Sequence, residues 1–406
     1  MRNGIAALGA LVLACAGERP APVPTSGADA SPPPAAGTVV LENIAPLPLP
    51  LWVAWSDGDG PWQRVSGPGP TFTVRPTGPR YGLAVKCLRP TRTVVRITHA
   101  LVSEVQRLSI DCGEPAQAPF KVSGRVFWAP ETDEMTVVLA IPRQPYIITL
   151  DTPVFDLMAP PGPTQISVVT RNALGETLAA LLRRDVTITG DTKIELDPRT
   201  EALPLVRQPL AIPGAAPGPR VEVWLGNRSG GFLMIPGGPG EYLAVAPEGL
   251  MPGDGQDLRV EDWDAGSLRT VIARLGRTRP AQVTLPPALT GVTVGRLSRP
   301  GYDLFRFTLD PQPTAHYYTL AAGYARSSVT AGWLGAARQY AQPDLGAVPG
   351  WQSSWAPTPG TGVEAQVTAN SSNRSFAETW NPGLVGVQDE GFILTIARRD
   401  LILQQL

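Results

Sequence analysis

Two histidines, His99 and His316, bound the chemistry open to this chain. A Ser-His-Asp hydrolase would have to use one of them as its base. His99 lies in an apolar, strand-like stretch, RITHALV, and His316 in a turn. Neither has a Cys, His or carboxylate partner at metal-ligand spacing, so both read as structural histidines. The chain has no GxSxG nucleophile elbow, no HExxH and no P-loop. Asp57-Gly58-Asp59-Gly60 invites a calcium reading, but a calcium loop needs a third oxygen residue before its glycine and a distal Glu. Pro61 and Trp62 follow instead, and Asp-Gly between apolar strands is a strong hairpin turn. Gly253-Asp254-Gly255-Gln256-Asp257 has the same two readings. Arg183-Arg184 and Arg398-Arg399, each followed by Asp, read as solvated or salt-bridged strand ends before they read as anion sites. No catalytic residue, metal site or cofactor is assigned, and no enzyme is expected. A hydrolase assembled from scattered residues is the minor alternative.

Tryptophan is the other candidate. The chain carries 10, many for its length. Trp52, Trp55, Trp128 and Trp224 lie in or beside strand-like runs and are expected in the core. Trp351 and Trp355 stand in a polar, Gly/Pro-rich stretch with Trp380 nearby. Exposed there, they would stack on sugar rings or fill a partner's pocket. Folded back, they would form a satellite core.

Cysteine points to an address. Arg2 opens the chain with a positive charge, and Ile5 to Ala14 is an apolar run broken by Gly9. The run is about half the ~20 residues a membrane-crossing helix needs, and it suits a signal-peptide core. It ends in Val12-Leu13-Ala14-Cys15, which resembles the bacterial lipobox: an aliphatic residue, a tolerated one, a small one, then Cys. The resemblance implies a signal peptide over 1–14, a thioether-linked diacylglycerol on Cys15, and a membrane held through that N-terminal lipid. Leu13 departs from the Ala, Ser, Thr or Val preferred at its position. Ala16 stands where enteric bacteria place the Asp that retains lipoproteins at the inner membrane. An outer-membrane or cell-surface site in the envelope is therefore expected. Residues 16–38, AGERPAPVPTSGADASPPPAAGT, hold too little apolar bulk to offset their ordering entropy and are expected to form a tether. With Cys15 set aside for lipid, Cys87 and Cys112 remain. An oxidising location favours a disulfide between them, the alternative being two buried thiols.

Composition sets the class. With 34 Lys and Arg against 35 Asp and Glu, the net charge is −1. No basic stripe exists to bind nucleic acid. Glycine (42) and proline (45) make up about a fifth of the chain, and long helical periodicity is absent. Short β-branched or aromatic runs bounded by Gly and Pro stand in its place: Val122–Trp128, Thr136–Ile141, Tyr146–Leu150, Asp185–Thr189, Lys193–Leu196 and Arg220–Trp224. Short strands at regular spacing predict an all-β chain of tandem small sandwiches.

A hairpin-like phrase recurs: FTVRPTGPRYGLAV at 72–85, FDLMAPPGPTQISVV at 155–169, FLMIPGGPGEYLAV at 232–245 and, more weakly, FTLDPQPTAHYYTLAA at 307–322. Successive copies start 83, 77 and 75 residues apart, the length of one small sandwich. Three fragment pairs recur in order: 92–95 with 269–272, 123–126 with 294–297, and 183–186 with 398–401. They suggest an A–B unit used twice, with module A1 at 39–113, B1 at 117–205, A2 at 206–285 and B2 at 286–406. The last would carry a Trp-rich insertion at about 333–390 before a closing strand at 392–403. The phrase Pro-Gly-x-Tyr-x-Leu-x-Val resembles transthyretin-like or carboxypeptidase-regulatory-like modules, small sandwiches of the immunoglobulin or transthyretin kind. That resemblance implies structural or adhesive modules without an active site. A non-catalytic, lipid-anchored envelope protein is the leading expectation, serving as a spacer or for contact with an envelope protein. A glycan- or peptidoglycan-binding lipoprotein is the alternative.

Overall fold

The computed structural model describes residues 37–43, 50–67, 69–87, 93–110, 112, 118–140, 146–226, 232–238, 240–276, 279–312, 314–324, 327–334, 339–360, 362–374 and 392–403. The signal-peptide segment, Cys15, nearly all of the tether and Trp380 lie outside them.

The first module supplies β1 (Val39–Asn43), β2 (Pro50–Asp57), β3 (Gln63–Arg64), β4 (Thr71–Val74), β5 (Arg80–Cys87), β6 (Thr93–Leu101) and β7 (Arg107–Ile110). One sheet runs β4-β1-β7, the other β3-β2-β5-β6. β1 is antiparallel to β4 and parallel to β7. The second supplies β8 (Phe120–Val126), β9 (Glu134–Ala140), β10 (Tyr146–Leu150), β11 (Val154–Ala159), β12 (Gly162–Arg171), β13 (Thr177–Ile188) and β14 (Thr192–Leu196). Its sheets run β11-β8-β14 and β10-β9-β12-β13, with β8 parallel to β14. Strand for strand, this is the connectivity of the first module.

The third module has β15 (Leu205–Pro209), β16 (Arg220–Gly226), β17 (Phe232–Pro236), β18 (Glu241–Val245), β19 (Gly255–Asp264) and β20 (Ser267–Leu275). They pair as β15-β18 and β17-β16-β19-β20. A single parallel bridge, Ala211 to Gln282, stands where the seventh strand would lie. The fourth has β21 (Thr293–Arg299), β22 (Tyr302–Thr308), β23 (Tyr317–Tyr324), β24 (Ser327–Leu334), β25 (Gln339–Ala341), β26 (Val363–Ser372) and β27 (Ile393–Leu403). Here β22 plays the first strand, and β21 fills the seventh position as its antiparallel neighbour. β25 and β26 fall inside the expected 333–390 region and β24 crosses its border, so strands of the sandwich occupy part of it, while 335–338, 361 and 375–390 lie outside the described residues.

The chain is therefore all-β, built of small sandwiches, as expected. Alternation explains the strands: β11 buries Phe155, Leu157 and Ala159 and exposes the residues between them. β5 is buried at seven of its eight positions because both of its faces are covered. Tyr81, Leu83, Val85 and Cys87 meet the core under β1, β4 and β7, while Ala84 meets the fourth module.

The modules are not strung as separate beads. Three of the four-stranded sheets join edge to edge into one 12-stranded sheet, ordered β17-β16-β19-β20-β27-β26-β23-β24-β6-β5-β2-β3. β20 pairs antiparallel with β27, from Ser267–Arg399 to Ala273–Ile393. β24 pairs in parallel with β6, from Ser327–Thr93 to Gly332–Thr98. The second module stands outside this plate and packs on the third: Val169, Ala180 and Leu182 join its core, and Val138 and Ala140 meet Trp224 and Met234.

The repeated phrase needs correction as well. In each copy the two strands lie in different sheets, as with β4 and β5 or β17 and β18. They are sheet-to-sheet corners rather than hairpins. The copies at Phe72 and Phe155 occupy the fourth strand of their modules, whereas Phe232 lies in a third strand and Phe307 in a first.

Candidate functional site

Among the described residues, ring-to-ring contacts gather at the joint between the first and fourth modules. β2 turns Trp52 toward the fourth module, where Trp351 and Trp355 meet it edge-on at 5.6 and 5.7 Å between ring centres. Trp351 and Trp355 lie 5.4 Å apart, and Tyr302 reaches Trp351 at 6.1 Å. Edge-to-face pairs of this kind are worth about 0.5–1.5 kcal/mol each beyond their buried area. The strap that carries them, 342–360, satisfies its own backbone through short turns: Val348 N–H donates to Leu345 O, Trp351 N–H to Val348 O, and Trp355 N–H to Gln352 O. Trp52 Nε1 donates to Pro349 O at 3.1 Å. Trp355 is 5% exposed and so presents no free ring face for a sugar, while Trp351 is half-buried against the same cluster. Of the two readings, Trp351 and Trp355 follow the one in which they fold back onto the module, and Trp380 lies outside the described residues. The polar composition that suggested exposure belongs to backbone-paired turns.

His99 sits beside this joint, 5.9 Å from Trp62 and 5.7 Å from Tyr340. Burial pushes its pKa down from 6.5 to about 4, with Asp59 opposing and Arg80 assisting. Between those two values the unfolded chain takes up a proton that the folded chain refuses. Stability is therefore full above pH 6.5 and falls as pH drops toward 4, by about 3 kcal/mol in all. Urea midpoints measured against pH should show this acid limb in the wild type and lose it in His99→Gln. His316 Nδ1 accepts the Ser372 amide at 3.4 Å, a structural contact.

The remaining sequence candidates are tied into the scaffold. Asp57 caps the β4–β5 corner: its carboxylate accepts the Thr77 hydroxyl, the Thr77 amide at 2.9 Å and the Gly78 amide at 3.1 Å. Those bonds hold its pKa below the usual carboxylate value. Gly58 takes φ +56°, the backbone of a tight turn. Asp254 accepts the Met251 amide at 2.8 Å and pairs with Arg184 at 2.6 Å, linking the third module to the second. Arg183 pairs with Glu201, and Arg398 with Asp400. Among the described residues, no three His, Cys, Asp or Glu are placed to hold a metal.

Cys87, ending β5, and Cys112, just past β7, form a disulfide with Cα atoms 5.1 Å apart, linking the two sheets of the first module. Closing this 25-residue separation contributes about 3 kcal/mol in the chain-entropy model. Reduction, or Cys87→Ser with Cys112→Ser, should lower the urea unfolding free energy by that amount.

Two features escaped the sequence reading. One is a buried ion pair, Arg269 with Asp262, on the β19–β20 hairpin. The other is in the second module, where β10 forms an outer edge. Beside it opens a cleft of about 550 Å³ with an apolar floor of Ile148, Leu150, Phe155 and Ile194. Arg125, Asp156, Lys193 and Glu195 also border it. Gly124 is required there, because a side chain on it would strike the Phe155 ring and the Ile194 carbonyl.

No family model matches this chain, and no curated protein matches it. Among solved structures, a streptococcal ancillary pilin is 11% identical over 61% of this chain and 98% of its own, with a TM-score of 0.15. At that score the two chains do not superpose as wholes. No helix among the described residues is long and apolar enough to cross a membrane.

Proposed function

We propose that the protein is a non-catalytic component of the cell envelope, anchored by lipid on Cys15 and acting as a rigid spacer on a proline-rich tether. One observation supports this most: the 12-stranded sheet that runs through three modules. Its two internal joints are main-chain ladders, and the aromatic side chains that a binding platform would display are spent inside one of them. The resemblance to transthyretin-like modules points the same way, since those modules are usually structural or adhesive. The glycan-binding alternative over 333–380 is weakened by the burial of Trp355, one of the three tryptophans it would use.

Fractionation tests the anchor. Wild type should sediment with membranes and need detergent for release, and Cys15→Ser should move to the soluble fraction. If Cys15→Ser stays with the membrane without detergent, the anchor reading fails.

A further inference from the structure

Because the module is repeated, each module acts as a control for the others, and the third strand of the four-stranded sheet is an edge in every one. In the first module that edge is β3, two residues long. In the third it is β17, which lies against β9, β12 and β13 of the second module. In the fourth it is β24, already paired with β6. In the second it is β10, YIITL, five residues in unbroken register with β9, free of charge, proline and bulge. Native sheets blunt such edges with lysine, proline, bulges or shortness. β10 has none of these, and Tyr146 and Ile147 on it are each 38% exposed.

We infer that β10 is a self-association edge, pairing antiparallel with β10 of a second copy of this chain about a two-fold axis at Ile148. Three observations select that occupant. Paired this way, Tyr146 meets Leu150 of the second copy, Ile147 meets Thr149, and Ile148 meets its own equivalent. Aromatic and β-branched cross-strand pairs stabilise a sheet, and no charge opposes a like charge. The neighbouring cleft carries two residues of each sign, so its two-fold image brings no net repulsion. The chain also already joins equivalent edges this way: β20 and β27 are both sixth strands, and they pair antiparallel between the third and fourth modules. A head-to-tail contact of β10 with the sixth strand β13 is closed off. Ala202 bridges Leu181 on β13, and Leu203 N–H donates to Ala180 O there.

The self-association deepens the spacer reading by naming its partner, and the two fail separately, because association is measured on the soluble Cys15→Ser chain. A five-residue ladder is a small interface and a weak one in solution. Two copies tethered to one membrane would meet at raised effective concentration. Sedimentation equilibrium up to about 1 mM should show a monomer–dimer equilibrium for Cys15→Ser. Adding Ile147→Lys and Thr149→Lys, both exposed positions, sets lysine opposite lysine twice and should weaken the dimer about tenfold or more. Ile147→Lys with Thr149→Glu sets opposite charges across the axis and should restore it. Thermal unfolding of both variants should match the parent, showing that the modules still fold. A chain monomeric throughout the range overturns the inference. So does a dimer indifferent to both variants, or a β10 that takes up only a foreign extended peptide.

Discussion

Trp355→Ala should lower the unfolding free energy by about 3–5 kcal/mol, the cost of deleting a buried tryptophan. Trp355 is 5% exposed, and its ring edges onto Trp52 and Trp351. Its removal leaves a cavity bordered by the two other indoles. Trp52 is fixed on β2, and Trp351 is held by a strap whose only regular element is a short 3-10 turn, Ser353–Trp355. The strap can move only by giving up the Trp52-to-Pro349 hydrogen bond, so the site collapses poorly and the upper half of the range is expected. The loss should extend beyond the strap. Trp52 belongs to the first module and Trp355 to the fourth, and the β24–β6 ladder beside them has six residue pairs. Urea unfolding followed by tryptophan fluorescence should therefore show both modules shifting together. Trp263→Ala is the control: Trp263 is 54% exposed, and its change should stay within about 1 kcal/mol. A Trp355→Ala cost no larger than the control's would remove the aromatic joint from the core.

Asp262→Ala should cost a similar amount, about 3–5 kcal/mol, by a different route. Arg269 is 8% exposed, and its guanidinium is paired with Asp262 and donates to Gly214 O at 3.1 Å. Asp262 in turn accepts the Ala216 amide at 2.9 Å. The pair thus ties the 214–216 loop to the β19–β20 hairpin. Removing the carboxylate strands the Ala216 amide and leaves the buried Arg269 with only the half-exposed Asp264, 3.4 Å away, as counter-charge. Replacing both partners, with Asp262→Leu and Arg269→Met, should recover much of the loss. It should not recover all of it, because Gly214 O and Ala216 N–H lose their partners. The interaction energy of that double-mutant cycle measures the pair. A single substitution costing under about 1 kcal/mol would mean that Asp264 or water carries the Arg269 charge without Asp262.

What could be read in the sequence was whatever side-chain alternation carries. Tyr146–Leu150 matches β10 to the residue, and the fragment pairs 92–95 with 269–272 and 183–186 with 398–401 fall in sixth strands, save residue 92, which lies outside the described residues. The disulfide followed from counting once Cys15 was set aside. The Phe-led phrase was a weaker guide, because a corner from one sheet to the other through a Pro/Gly turn can stand at several places in a module. It marks a local geometry, so copies land in the fourth, third and first strands. The pair 123–126 with 294–297 fails likewise, joining a first strand to the stand-in β21. Two features left no trace in residue pattern. Edge-to-edge joints are made by backbone N–H and C=O groups, which every residue carries. The inward turn of Trp351 and Trp355 depends on a strap whose polar groups pair with each other, and composition cannot distinguish such a strap from a solvated loop.

Native-state hydrogen exchange on the soluble Cys15→Ser chain tests most directly whether three modules form one rigid plate. Amides of β20 and β27, and of β24 and β6, should exchange only with the global opening of the modules that flank them. Contradiction would come from those four strands exchanging as fast as exposed edges while the interiors of their own modules stay protected.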